Sequence, residues 1–222
     1  MQGEKILLMG VNHKTTPVEI REKIALSAGY EEPLAALKKI KGCRECYLLS
    51  TCNRVELLVV VEQNADVENE IIRFLFGDTV SPEECSKYLY VYYGRDAVHH
   101  LFTVAASLDS MVVGEAQILG QLKEAYRYAA QFNCTGPLLN RFLHKAFSVA
   151  KRVRTETGVG SSAVSISYAA VQLAEKIFGN LKGKKVMLVG PGRWLNWRRN
   201  TLSGMVSDLW LSPTGHSRER LI

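Results

Sequence analysis

The chain has 222 residues, is 47% hydrophobic and carries a formal net charge of +6, enough apolar material for one good core and part of a second domain. No run approaches the ~20 apolar residues of a membrane span, and the first eight residues lack the apolar stretch of a secretory signal, so a soluble cytoplasmic protein is expected. Its five cysteines, an odd number, argue for reduced thiols rather than a disulfide framework, and Cys43-x-x-Cys46 has no second Cys or His pair at zinc spacing, so no metal is expected.

The first predicted element is a strand over residues 5–10. It leads into Asn12-His13-Lys14-Thr15-Thr16-Pro17, a polar loop that reads as a threonine N-cap with proline opening a helix over 17–25. A second helix covers 32–40. Strands over 46–50 and 54–61 then flank Ser50-Thr51-Cys52-Asn53-Arg54-Val55-Glu56-Leu57, the most informative stretch of the chain. Alternation places Val55, Leu57, Val59 and Val61 on one face and Cys52, Arg54 and Glu56 on the other. Cys52 is the candidate nucleophile, because a fixed cation two residues away favours the thiolate; a lone cysteine at a strand end also reads as a small buried apolar side chain. Helices over 66–75 and 82–87 and a strand over 88–93 complete a small domain with one sheet.

From Gly94 the pattern turns helical for about eighty residues. Val98, Leu101, Phe102, Ala105 and Leu108 form one stripe, and Ile118, Leu119, Leu122, Ala125, Tyr126 and Ala129 form the next. Two more helices are expected over 138–154 and 165–178, with a glycine- and serine-rich hinge over 157–162 between them. Gln117 and Gln121 lie one turn apart, with Glu115 at their helix start, where an anion is favoured; they could hold a polar substrate or simply be solvated. His99 and His100 flank the apolar stripe, and periodicity does not choose between them. Arg141, Lys145, Lys151, Arg152 and Arg154 make the long helix basic, suited to nucleic-acid phosphates or to a solvated face. A short apolar run, 186–190, ends in Gly190-Pro191-Gly192, the start of a dinucleotide fingerprint whose third small position falls on Leu195.

Together these residues resemble glutamyl-tRNA reductase, the NADPH-dependent enzyme family that opens tetrapyrrole synthesis from glutamate. The resemblance covers residues 5–192. It rests on Gly10 to Pro17, on Ser50 to Leu57, on the run from His100 to Gln121 with Leu108-Asp109-Ser110 and Gly114-Glu115-Ala116-Gln117, on Lys145 to Thr157, and on Gly190-x-Gly192. It implies that Cys52 attacks the ester of glutamyl-tRNA to give a thioester, which NADPH hydride reduces to glutamate-1-semialdehyde. It also implies that Thr51, Cys52, Asn53, Arg54, Ser110, Glu115, Ala116, Gln117 and Gln121 hold the glutamyl group, with Arg54 as a carboxylate clamp. His100 matches the histidine needed for activity, and Gly190, Pro191 and Gly192 match cofactor-binding positions. The family forms homodimers and hands its product to a downstream aminomutase.

Members of the family continue past the glycine motif with full NADPH-binding and dimerisation domains. Here the last thirty residues instead hold all three tryptophans and five arginines. The codon for tryptophan and those for asparagine let Asn196-Trp197 be read one base out of frame as leucine, and neighbouring codons permit a continued Gly-x-Gly-x-x-Ala fingerprint; a one-nucleotide deletion at Gly192-Arg193 is therefore expected. The resulting expectation is an α/β fold in three parts. These are an α+β catalytic domain over 1–155, a hinge, helix and first Rossmann-type strand of an incomplete NADP domain over 156–192, and a disordered, non-homologous tail over 193–222. The other reading is an inactive tRNA-binding fragment or an esterase-only remnant.

Overall fold

The computed structural model describes residues 3–26, 29–77, 79–159, 173–179, 181, 184–190, 208–213 and 219–221. The chain divides into two compact units, Met1–Ala163 and Val164–Ile222.

In the first unit β1 (Glu4–Asn12), β2 (Cys43–Ser50), β3 (Arg54–Glu62) and β4 (Tyr90–Tyr93) form one antiparallel sheet in the order β2-β3-β1-β4. β3 is buried from Arg54 to Val61, so both faces of the sheet are covered. On one face Val55, Leu57 and Val59 stand beside their β1 partners Val11, Met9 and Leu7, and the buried core they belong to also holds Leu34 and Leu37 of α2 (Glu31–Lys38) and Ile71 and Leu75 of α3 (Glu68–Phe76). Each such side chain contributes about 1.5–3 kcal/mol when fully buried, so this face anchors the sheet. The opposite face is mixed. Across β3, β1 and β4 it reads Leu58, Leu8, Tyr92 in one row and Glu56, Gly10, Tyr90 in the next. A side chain on Gly10 would meet the Val55 carbonyl at 2.7 Å and Glu56 Cγ at 2.8 Å. The missing side chain in the middle strand leaves Glu56 and Tyr90 free to meet across it.

The remaining helices are α1 (Val18–Ile24), α4 (Pro82–Tyr88), α5 (Gly94–Ala105), α6 (Gln117–Gln131) and α7 (Pro137–Glu156). α5 buries Ala97, Leu101, Val104 and Ala105. The open N-terminus of α7 is closed by Glu45 of β2, whose carboxylate accepts from the amides of Gly136 (2.9 Å), Leu138 (3.1 Å) and Leu139 (2.7 Å), satisfying donors a helix start leaves without partners. No helix among the described residues is long and apolar enough to cross a membrane.

Several expectations shift. α4 runs through Tyr88, so β4 starts at Tyr90. Thr16 does not cap α1: the cap position is Pro17 with no side-chain bond, and Thr16 Oγ1 donates to the Tyr88 carbonyl (3.3 Å). Asn12 shapes that loop instead, its Oδ1 accepting from the amides of Lys14 (2.9 Å) and Thr15 (3.2 Å), an Asx turn. α5 stops before Leu108, since Ser107 takes a positive φ of 63°, and α6 begins at Gln117, so Glu115 precedes it.

In the second unit residues 173–178 are helical. β5 (Lys185–Gly190) pairs in parallel with β6 (Asp208–Pro213), which pairs antiparallel with β7 (Glu219–Leu221). The expectation of a tail without regular structure does not hold at 208–213 and 219–221. Leu209-Trp210-Leu211 has strand-forming character, and a neighbour at the edge of β5 meets backbone groups that β5 would otherwise leave unpaired. Residues 165–172 of the predicted helix, 160–162 of the hinge, and Pro191 and Gly192 lie outside the described residues.

Candidate active site

Cys52 stands exposed at the apex of the connection between β2 and β3. Thr51 builds the turn: its hydroxyl accepts from the amides of Asn53 (3.2 Å) and Arg54 (3.1 Å), while its own amide donates to the Arg54 carbonyl (2.8 Å). Asn53 is tied to the end of β1, its carbonyl accepting from the His13 amide (2.9 Å). The Cys52 carbonyl accepts from Nη1 of Arg21, a buried residue of α1. The nucleophile candidate is therefore presented to solvent by a backbone held on three sides.

Arg54 has a side chain only 2% exposed, and it is not a free clamp. Its Nη1 donates to Glu56 Oε1 (2.6 Å), and its Nη2 donates to the Asp109 carbonyl (2.6 Å) and to Asp109 Oδ2 (2.9 Å). Glu56 Oε1 also accepts from the Tyr90 hydroxyl (2.5 Å) and meets His100 Nε2 at 2.8 Å. Burial pushes the Glu56 carboxyl up, but the hydrogen bond from His100 and the charge of Arg54 outweigh burial and hold it below the usual carboxylate range. An ionised carboxylate only accepts, so Nε2 is the protonated nitrogen of His100, and in the neutral ring Nδ1 remains an acceptor. The ring stacks on Tyr92, with centroids 4.8 Å apart. His99 is exposed, so the structure separates the two histidines that periodicity left equal.

Asp109 continues the network toward the surface, its Oδ1 accepting from Lys14 Nζ (2.5 Å). Burial raises its carboxyl, and Lys14 and Arg54 bring it below its ordinary value. His13 beside them is lowered, first by burial and then by the Arg54 charge, and its Nδ1 is buried without a partner among the described residues.

The loop from Ser107 to Ala116 joins the cluster through Asp109, which accepts from Arg54. The Ser107 hydroxyl donates to the Glu115 carbonyl (2.6 Å), and Nη1 of Arg154 donates to the carbonyls of Gly114 (2.9 Å) and Glu115 (3.1 Å). Gly114 has φ +84°, and a Cβ there would strike the Val159 carbonyl. Ser110 is buried, Ala116 and Gln117 are exposed, and Gln121 is half-buried on α6. Arg154 is thus bound to main chain, and Arg152 pairs with Glu156 (2.9 Å); Arg141, Lys145 and Lys151 of the basic helix are exposed and make no ion pair among the described residues. Arg21, Tyr90, Asp109 and Lys14 are site residues that single-residue reasoning missed. Asp109 and Lys14 lay inside quoted motifs, while Arg21 and Tyr90 carried no signal.

Residues 9–157 match the model of a family described as glutamyl-tRNAGlu reductase, N-terminal domain. The chain belongs to this family. It is similar to a glutamyl-tRNA reductase of Desulfotalea psychrophila, 68% identical over 192 residues that make up 86% of this chain and 45% of the relative. The likeness to one from Syntrophus aciditrophicus, 47% identical, covers 96% of this chain and 52% of the relative, which carries it past the glycine motif. Among solved structures the glutamyl-tRNA reductase from Methanopyrus kandleri superposes with a TM-score of 0.65 at 32% identity, covering 95% of this chain and 49% of that one. The chain thus spans about half the length of the glutamyl-tRNA reductases it matches.

Proposed function

We propose that this chain carries the acyl-transfer half of the glutamyl-tRNA reductase reaction. The Cys52 thiolate adds to the ester carbonyl of glutamyl-tRNA, the ester C–O bond breaks, and the tRNA leaves with its 3′-terminal ribose oxygen taking up a proton. What remains is a glutamyl thioester on Cys52. The observation that supports this reading best is the exposed thiol on a tethered turn beside a buried, fully bonded His100–Glu56–Arg54 cluster. His100, whose Nε2 is bound to Glu56, is the group that exchanges the proton in this reading. Thr51, Asn53, Ser110, Glu115, Ala116, Gln117 and Gln121 would hold the glutamyl group in this reading. Arg54 meets the glutamyl carboxylate only in company with Glu56 and Asp109, so the pocket offers a neutralised network rather than a bare cation. The exposed cations Arg141, Lys145 and Lys151 suit tRNA phosphates.

NADPH would supply the hydride that converts the thioester to glutamate-1-semialdehyde. Of the residues that resemble its cradle, Gly190 ends β5 and Pro191 and Gly192 fall outside the described residues.

The test is a single-turnover reaction with radiolabelled glutamyl-tRNA. The chain is expected to release tRNA and retain label as a hydroxylamine-sensitive adduct, with no efficient semialdehyde production when NADPH is added. Cys52→Ser is expected to retain no label; unchanged label transfer in that variant would remove Cys52 from the mechanism.

A further inference from the structure

Arg21 lies on α1, between the motifs that carry the family likeness and in none of them, yet it is buried. Its Nε donates to the Thr16 carbonyl (3.1 Å) and its Nη1 to the Cys52 carbonyl. One rigid, planar fork therefore joins the entrance of α1 to the apex of the cysteine turn, a span that a lysine could not bridge with two fixed donors. Among the described residues no carboxylate pairs with it. A buried cation satisfied only by main-chain carbonyls is costly to keep, and the turn already has the Thr51 bonds and the His13–Asn53 bond to hold its shape. What those bonds leave unheld is the oxygen of the peptide that follows Cys52, whose N–H already donates to Thr51. Arg21 holds that oxygen, and the orientation of the peptide plane sets where Cβ and Sγ project.

We infer that Arg21 is a positioning residue for the nucleophile: its guanidinium fixes the Cys52 peptide and thereby the direction from which Sγ meets the substrate's ester carbonyl. The inference rests on Cys52 being the nucleophile. It also gives a reason for arginine at a site where a shorter polar side chain could satisfy one carbonyl but not two.

Acyl transfer demands this geometry, whereas alkylation by a small reagent does not. The test compares the unaltered chain with Arg21→Met, well below each melting temperature, in single-turnover reactions over a range of glutamyl-tRNA concentrations. A misplacement of about 1 Å at a reacting atom costs on the order of 100-fold in rate, so the saturating rate is expected to fall by about that factor. The half-saturating tRNA concentration and the iodoacetamide rate at Cys52, located by peptide mapping, are expected to stay within about threefold. A saturating rate close to that of the unaltered chain overturns the inference. So does a parallel fall in acyl transfer and alkylation, the mark of a brace for the whole fold. If Arg21→Met does not fold, Arg21→Lys, which keeps the charge but donates to one carbonyl at a time, is read by the same criteria. Cys52→Ser run alongside separates the two ideas: label transfer by that variant defeats the nucleophile assignment, whatever Arg21 does.

Discussion

Glu56 takes hydrogen bonds from Arg54, Tyr90 and His100 on a single oxygen, and its environment is dry, with the side chain 5% exposed. A buried ion pair adds little against an apolar pair of the same volume, but removing one partner strands a charge at about 3–5 kcal/mol. Glu56→Ala is therefore expected to destabilise the first unit by that amount in urea titrations, and a loss under 1 kcal/mol would contradict the buried network. The pH dependence follows from the direction of the shifts. Glu56 and Asp109 bind protons more weakly in the folded chain than in the unfolded one. The stability they add is complete above pH ~4, where free carboxyls have titrated, and it is lost as the pH falls through their lower folded values. His13 is lowered as well, so its contribution begins to decline below pH ~6.5. Calorimetry should show melting temperatures falling gently from neutral pH and then steeply in acid, and Asp109→Asn, which has no proton to bind there, should flatten the steep limb. Part of this network was legible in the sequence, because alternation put Arg54 and Glu56 on one face. Tyr90 was not, since it reaches Glu56 only through the register of β3, β1 and β4 and the gap at Gly10, and register between strands distant in sequence leaves no local pattern.

At the level of elements, α7 has two ends with different duties. Its start is closed by Glu45, and its last turns carry Arg154, which grips the loop that holds Ser110 and Glu115. At 20 residues the helix is about 30 Å long, far enough for the two ends to act independently. Glu45→Ala leaves helix-start amides buried without partners and is expected to cost about 2–3 kcal/mol, while Cys52 acyl transfer in the surviving folded protein stays unchanged. Gly114→Ala should differ in its effect on the rate. It forces a side chain into a left-handed position against the Val159 carbonyl, a strain of about 1–3 kcal/mol that moves the loop and so slows acyl transfer. Equal losses of stability and rate in both variants would mean that the two ends are coupled. The helices α5 and α6 were readable from their apolar stripes, and the hairpin around Cys52 from its alternation. The end of α5 at Ala105, the start of α6 at Gln117 and the partner of Arg154 were not, because positive φ angles and side-chain bonds to distant carbonyls are set by tertiary packing. The strands at 208–213 and 219–221 were missed for a related reason: Leu209-Trp210-Leu211 is too short for a period, and its pairing with β5 decides its conformation.

For the whole molecule, the decisive fact is where the chemistry falls along the chain. Every candidate residue from Asn12 to Arg154, including the Arg21 and Arg154 clamps, belongs to the unit Met1–Ala163, and each hydrogen bond described for the site closes within it. That unit holds both covered faces of the four-stranded sheet, whereas the three-stranded sheet belongs to Val164–Ile222. A domain with its own hydrophobic core is able to fold alone. A fragment ending at Ala163 is therefore expected to melt within a few degrees of the first transition of the 222-residue chain, to alkylate at Cys52 at the same rate, and to take the glutamyl group from glutamyl-tRNA with the same single-turnover constant. The outcome against this would be a folded fragment with normal Cys52 alkylation but acyl transfer reduced by tenfold or more. Since the thiol and its supports would then be intact, residues beyond 163 would have to contribute to holding the tRNA, and the binding surface would extend past the basic helix into the second unit.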